Sequence, residues 1–150
     1  MSASAPTNGL GPHGHSSAVS LALLLLRIAA GLVFLYHGCA ILFGAFGGPG
    51  PQGFAGFMHA PVAVGYLVGL AQFAGGLAML SGVLIRVGAV RIIVVMLGAI
   101  FLAHIQHGFD IGKGGMEYAL TQLLVALALL ITGGGEYSLA EMLPGGLRKL

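Results

Sequence analysis

Residues 18–43 read AVSLALLLLRIAAGLVFLYHGCAILF, and only Arg27 and His37 in this run carry or readily gain charge. A helix that crosses a bilayer needs about 20 mainly apolar residues. The stretch is long and apolar enough, so it is predicted to cross. Three more segments follow the same pattern. The second covers about 61–80 and is interrupted only by Gln72, with Pro61 suited to a first helical turn where a missing N–H does no harm. The third covers about 87–104, with Arg91 near its start, and the fourth covers about 118–132. Ser81-Gly82 and the glycines 133–135 punctuate the second and fourth. The predicted fold class is all-α: one four-transmembrane-helix bundle over residues 18–135. A disordered tail is expected over 1–17 and a cytoplasmic tail over 136–150.

Composition agrees with that reading. Only 7% of the 150 residues are charged and mean hydropathy is +1.00, against about 25% charged in an ordinary soluble domain. Such a chain cannot keep its whole surface wet. The net charge of +2 is spread over ten charged residues, so the high pI reflects few acids rather than a nucleic-acid patch. Cys39 is the only cysteine, which excludes an internal disulfide and a CxxC relay. Residues 1–17 contain no Lys or Arg, so the basic start of a signal peptide is missing and the first helix is expected to be retained.

Loop charges orient the bundle. With four spans, the termini share a side with the connection between spans two and three. That side holds Arg86, Arg91, Arg148 and Lys149, and Arg27 can snorkel toward it, whereas the other side holds only Lys113. Both termini are therefore predicted cytoplasmic, in the inner membrane if the source is bacterial. The segments 44–60 and 105–117 face outward. The first is rich in Gly, Pro and Phe and is expected to cap the bundle irregularly.

This orientation gathers polar residues at the outer end. His37 lies ten residues, or about 15 Å, beyond Arg27 along the first helix. Gln72 sits within span two. His104 and His107 end span three, and Asp110, Glu117, Tyr118 and Gln122 follow. Polar groups inside a membrane are expensive and usually face a cavity or a partner helix. Blander readings apply to each: His59, His107 and Asp110 as solvated loop residues, His104 as an interfacial anchor, His37 and Gln72 as interhelical hydrogen-bonding groups, and Cys39 as small packing.

Two internal patterns add to this. Gly31, Phe34, Leu35 and His37 recur at the same offsets as Gly98, Phe101, Leu102 and His104, and Gln72 aligns with Gln122. Two parallel copies of one helical hairpin would place His37 opposite His104. Gly65-x-x-x-Gly69 and Gly75-Gly76 offer a smooth face for close helix packing, either within the chain or in a homodimer.

The chain resembles the DoxX family of small four-helix membrane proteins. The resemblance runs from about Leu24 to Leu139. It is carried by Leu26-Arg27-Ile28, Gly31, Phe34, His37-Gly38, Phe73 to Leu77, Gly82 to Arg86, Met96, Glu117 to Leu120 and Gly133 to Leu139. The family includes the small subunit of a thiosulfate:quinone oxidoreductase, so the resemblance implies a multi-pass, redox-associated protein that meets quinone. Two positions depart from the family pattern: Gln72 stands where Glu is common, and Ile41 where a Lys often follows His-Gly. A neutral Gln still hydrogen-bonds a carbonyl.

Several functions compete on this footing. In the first, the chain is a quinone-linked subunit of a redox complex. Its quinone-binding candidates are His37, Gln72, His104, Glu117, Tyr118 and Gln122. In a variant, His37 and His104 hold haem b, with no CxxCH for covalent attachment. The alternative class is a non-catalytic anchor or accessory subunit that meets other subunits of a membrane or periplasm-facing complex through its outer loop. A small-solute transporter is the least supported.

Overall fold

A computed structural model describes residues 16–143. The expected tail 1–17 therefore lies almost wholly outside the described residues, as do Arg148, Lys149 and the end of the C-terminal tail. Ser16 caps the first helix, its hydroxyl accepting from the Val19 N–H at 3.4 Å. The helix, α1 (Ser17–Phe43), ends at Gly44 in the left-handed conformation at φ 64°. A short 3-10 turn, Ala45–Gly47, leads to α2 (Gly50–Phe57). This helix was not expected: glycine and proline suggested irregular chain, but Pro51 lies in the first turn, where its ring is compatible with a helix. Then come α3 (Val62–Ser81), α4 (Ile85–Gly98) and α5 (Glu117–Thr132). Between α4 and α5 the helix continues as a π-helical turn, Ala99–His104, and a 3-10 turn, Ile105–His107. The described residues contain no strand.

Among the described residues, three helical stretches are long and apolar enough to cross a membrane: Ser17–Phe43, Val62–Ser81 and Ile85–His107. The fourth, Glu117–Thr132, is apolar but has only 16 residues. The chain pairs α1 with α3, α3 with α4, and α4 with α5, and α2 lies across α3 and α1. Phe34, Met79, Ile92, Ala126 and Leu129 form the centre, none more than 1% exposed. Leu67, Val94, Leu102 and Ile131 are more than 60% exposed and belong to an apolar outer surface.

Glycine sets the helix spacing. A Cβ at Gly38 would come 2.5 Å from the Phe73 nitrogen, and one at Gly76 would come 2.6 Å from the Leu35 nitrogen. So α1 and α3 touch backbone to backbone. Gly75 seats Ile92 of α4, Gly69 seats Leu42 of α1, and Gly65 seats Pro51 of α2. The small-residue face of α3 is thus used for packing within the chain.

Arg27 behaves differently from the expected snorkelling residue. It is 1% exposed, with its guanidinium held inside the bundle. Nε donates to the Met79 carbonyl at 2.9 Å, and Nη2 to that of Leu80 at 2.9 Å. Nη1 donates to Gly134 at 3.0 Å and Tyr137 at 2.7 Å. The carbonyls ending a helix have no intrahelical partner and carry partial negative charge. One guanidinium therefore satisfies the end of α3 and ties it to the segment after α5.

Candidate functional site

The site builds from one face of α3 and the facing side of α4. Gln72 is 7% exposed, half-way along α3. Across from it, Gly75 packs on Ile92 and Gly88 on Ala78. This register sets Gln72 at about the depth of Arg91 to Val94. Between the helices, beneath α2, runs a cleft of about 470 Å³. Its polar lining residues are Gln72, Arg91 and His104, and its walls include Phe54, Phe57, Val68, Val95 and Leu102.

The polar groups stand at two ends. His104 lies 13 residues beyond Arg91, about 20 Å along a continuous helix. The cleft is therefore elongated along α4. The exposed Phe57, Leu67, Val94 and Leu102 open its side to the surroundings of the bundle.

The π-helical turn carries His104 at its last position. A π-turn shifts the side chains that follow it around the axis, and such turns are frequent at functional sites. The His104 Nδ1–H donates to the Gly114 carbonyl at 2.7 Å. A carbonyl only accepts, so the proton is assigned to Nδ1 and Nε2 is left for a ligand. The loop that supplies this carbonyl is itself pinned. Gly115 and Met116 donate to Asp110 and Gly108, and Glu117 Oε2 accepts from the Ile111 N–H at 3.2 Å.

Of the six candidates read from the sequence, Gln72 and His104 line this cleft. His37 does not. It is exposed on α1, edge-to-face with Tyr36 at 5.5 Å, and Tyr36 stacks on Phe46 at 4.8 Å. It lines a separate open groove with Leu32, Val33 and Cys39. His37 and His104 line two different cavities. Glu117, Tyr118 and Gln122 stay on α5, outside the cleft lining. Glu117 is occupied with its own loop, and Gln122 Oε1 is buried without a partner.

Arg91 is the cleft residue that sequence reasoning missed, having counted it only as an inner-side charge. The signal was present, because a guanidinium inside an apolar span usually has something to meet.

Apolar helices of spanning length and a lipid-accessible slot define a small helical membrane protein. The chain belongs to the DoxX family, whose pattern matches residues 22–105. It is also similar to a protein of Bacillus subtilis (strain 168) named "Putative oxidoreductase CatD", with 27% identity over 110 residues, covering 73% of this chain and 78% of that one. No solved structure matches the chain significantly.

Proposed function

We propose that this protein is a quinone-linked subunit of a membrane redox complex, with the α2–α3–α4 cleft as its quinone site. The observation that carries this is the cleft itself: about 470 Å³, lined mainly by apolar residues, with Gln72, Arg91 and His104 as its polar groups. That volume lies within the roughly 300–1,000 Å³ usual for small-molecule sites. The similarity to a protein named as an oxidoreductase supports the same class.

The lining suits a flat ring with a chain. Ring carbonyls need donors, and the tail needs an apolar path that opens to lipid. With its proton on Nδ1 and held by Gly114, His104 offers Nε2 as an acceptor, suited to the hydroxyl of the reduced quinol. Phe54, Phe57 and Met58 flank this end. Gln72 offers both an amide donor and an acceptor further down. A bound quinone would supply two-electron, two-proton chemistry within the lipid phase. His104 can pass protons between the slot and the outer loop beside it, because it stands where α4 leaves the bundle.

In the same reading all four long helices span the membrane, with both termini cytoplasmic. α5 is short for a span, at 16 residues or about 24 Å, and bilayers accommodate such a deficit by local thinning. The electron donor would be another subunit docked on the outer loops, since the chain carries no electron-carrier motif.

Photolabelling with an azido-quinone, followed by peptide mapping, tests the assignment. Labels are expected on α2 and on residues 94–104, competed by excess unlabelled quinone. Labelling concentrated around His37 and Phe46 would refute it.

A further inference from the structure

Arg91 is exposed at the cleft and lines it, and it has no hydrogen bond or ion pair among the described residues. It lies six residues beyond Ile85, the first residue of α4, a helix whose other charged residue is Arg86 in its first turn. This contrasts with Arg27, which has four carbonyl partners. A guanidinium in a membrane span is costly unless it finds carbonyls or an anion, or snorkels to the interface. The two described acids of the outer loop, Asp110 and Glu117, are engaged there with Gly112 and Ile111.

We propose that Arg91 is the head-group anchor of an anionic phospholipid site at the inner end of the cleft. Arg91 Cα lies about 9 Å from the start of α4 along the axis. A snorkelling arginine side chain covers most of that distance, so it reaches a phosphate at the interface while its stem stays in the slot. Arginine matches phosphate oxygens with paired N–H donors. From that anchor the apolar slot runs about 20 Å toward His104, a length suited to one acyl chain. Charge, depth and shape thus agree on a single occupant: a lipid with a net negative head and one chain laid along α4. The inference goes beyond the redox reading and does not depend on it. If both hold, lipid chain and quinone tail compete for one slot, and membrane charge tunes access to it.

The test uses the full-length protein, equilibrated in detergent with equal amounts of phosphatidylglycerol and phosphatidylcholine bearing identical chains. Retained lipid is measured by mass spectrometry after gel filtration, with no quinone present. At least fivefold enrichment of the anionic lipid is expected, at about one per chain. Arg91→Gln should bring the ratio to within twofold of unity, and Arg91→Lys should retain part of it. Arg86→Gln, which removes an exposed charge nearer the interface, should leave the enrichment unchanged. Ala99→Phe, which fills the slot without touching the charge, should reduce retention of the anionic lipid. Equal retention of the two lipids by the native chain would overturn the proposal. So would an unchanged ratio in Arg91→Gln, or an equal loss in Arg86→Gln.

Discussion

Arg27 and Arg91 show what decides the role of a charge inside a lipid-facing chain. Arg27 is sealed in and spends its donors on four carbonyls from two places in the chain. Removing it would leave helix-end carbonyls buried without donors. Arg27→Ala should lower stability by about 3 kcal/mol or more, read from unfolding in a graded denaturing detergent. Arg27→Lys should recover only part, because an ammonium cannot copy the planar fork. Its partners lie 52 to 110 residues away, so the sequence shows the charge and its depth but not what meets it. The same limit explains His37. The spacing from Arg27 gives an expected depth, yet α1 is apolar on all sides and gives no periodic signal for which face turns inward. Gln72, read as a polar group within its span, is 7% exposed, because a lone amide inside an unbroken apolar run has little reason to face lipid.

At the scale of elements, the extents of α1, α3 and α5 were readable to within a residue or so. Each is an apolar run closed by glycine, and Gly44, Gly82 and Gly133 all take positive φ there. α4 was less legible. Its pattern reads as one helix to His104, but the last six residues are π-helical, a change of hydrogen-bond register with no composition of its own. α2 was missed because its glycines and Pro51 mask a helix stabilised by packing on Gly65. The glycine contacts themselves followed the small-residue pattern of α3. Gly76→Leu should force α1 and α3 apart and cost roughly 1–3 kcal/mol, visible as a lower melting temperature in detergent. By contrast, His104→Ala should leave melting almost unchanged, since its ring bonds only a surface loop carbonyl, while weakening binding of a short-chain quinone several-fold.

At the scale of the molecule, the bundle has one end made of α2 and the 108–116 loop and another made of the Arg27 clamp. The proposed orientation, with both termini cytoplasmic, predicts accessibility. In a Cys39→Ala background, Gln52→Cys and Gly112→Cys should react with an impermeant thiol reagent from outside intact cells, and Arg86→Cys should not. The reverse pattern would invert the proposed topology and place His104 on the cytoplasmic side. A quinone-linked role requires that the slot between α3 and α4 hold a quinone. The direct measurement is purification from native membranes in mild detergent, with mass spectrometry of the small molecules retained. About one quinone per chain is expected, and it should be lost in His104→Ala and in Ala99→Phe variants that remain folded. A folded native chain that retains no quinone, or variants that retain it in full, would contradict the assignment of the cleft.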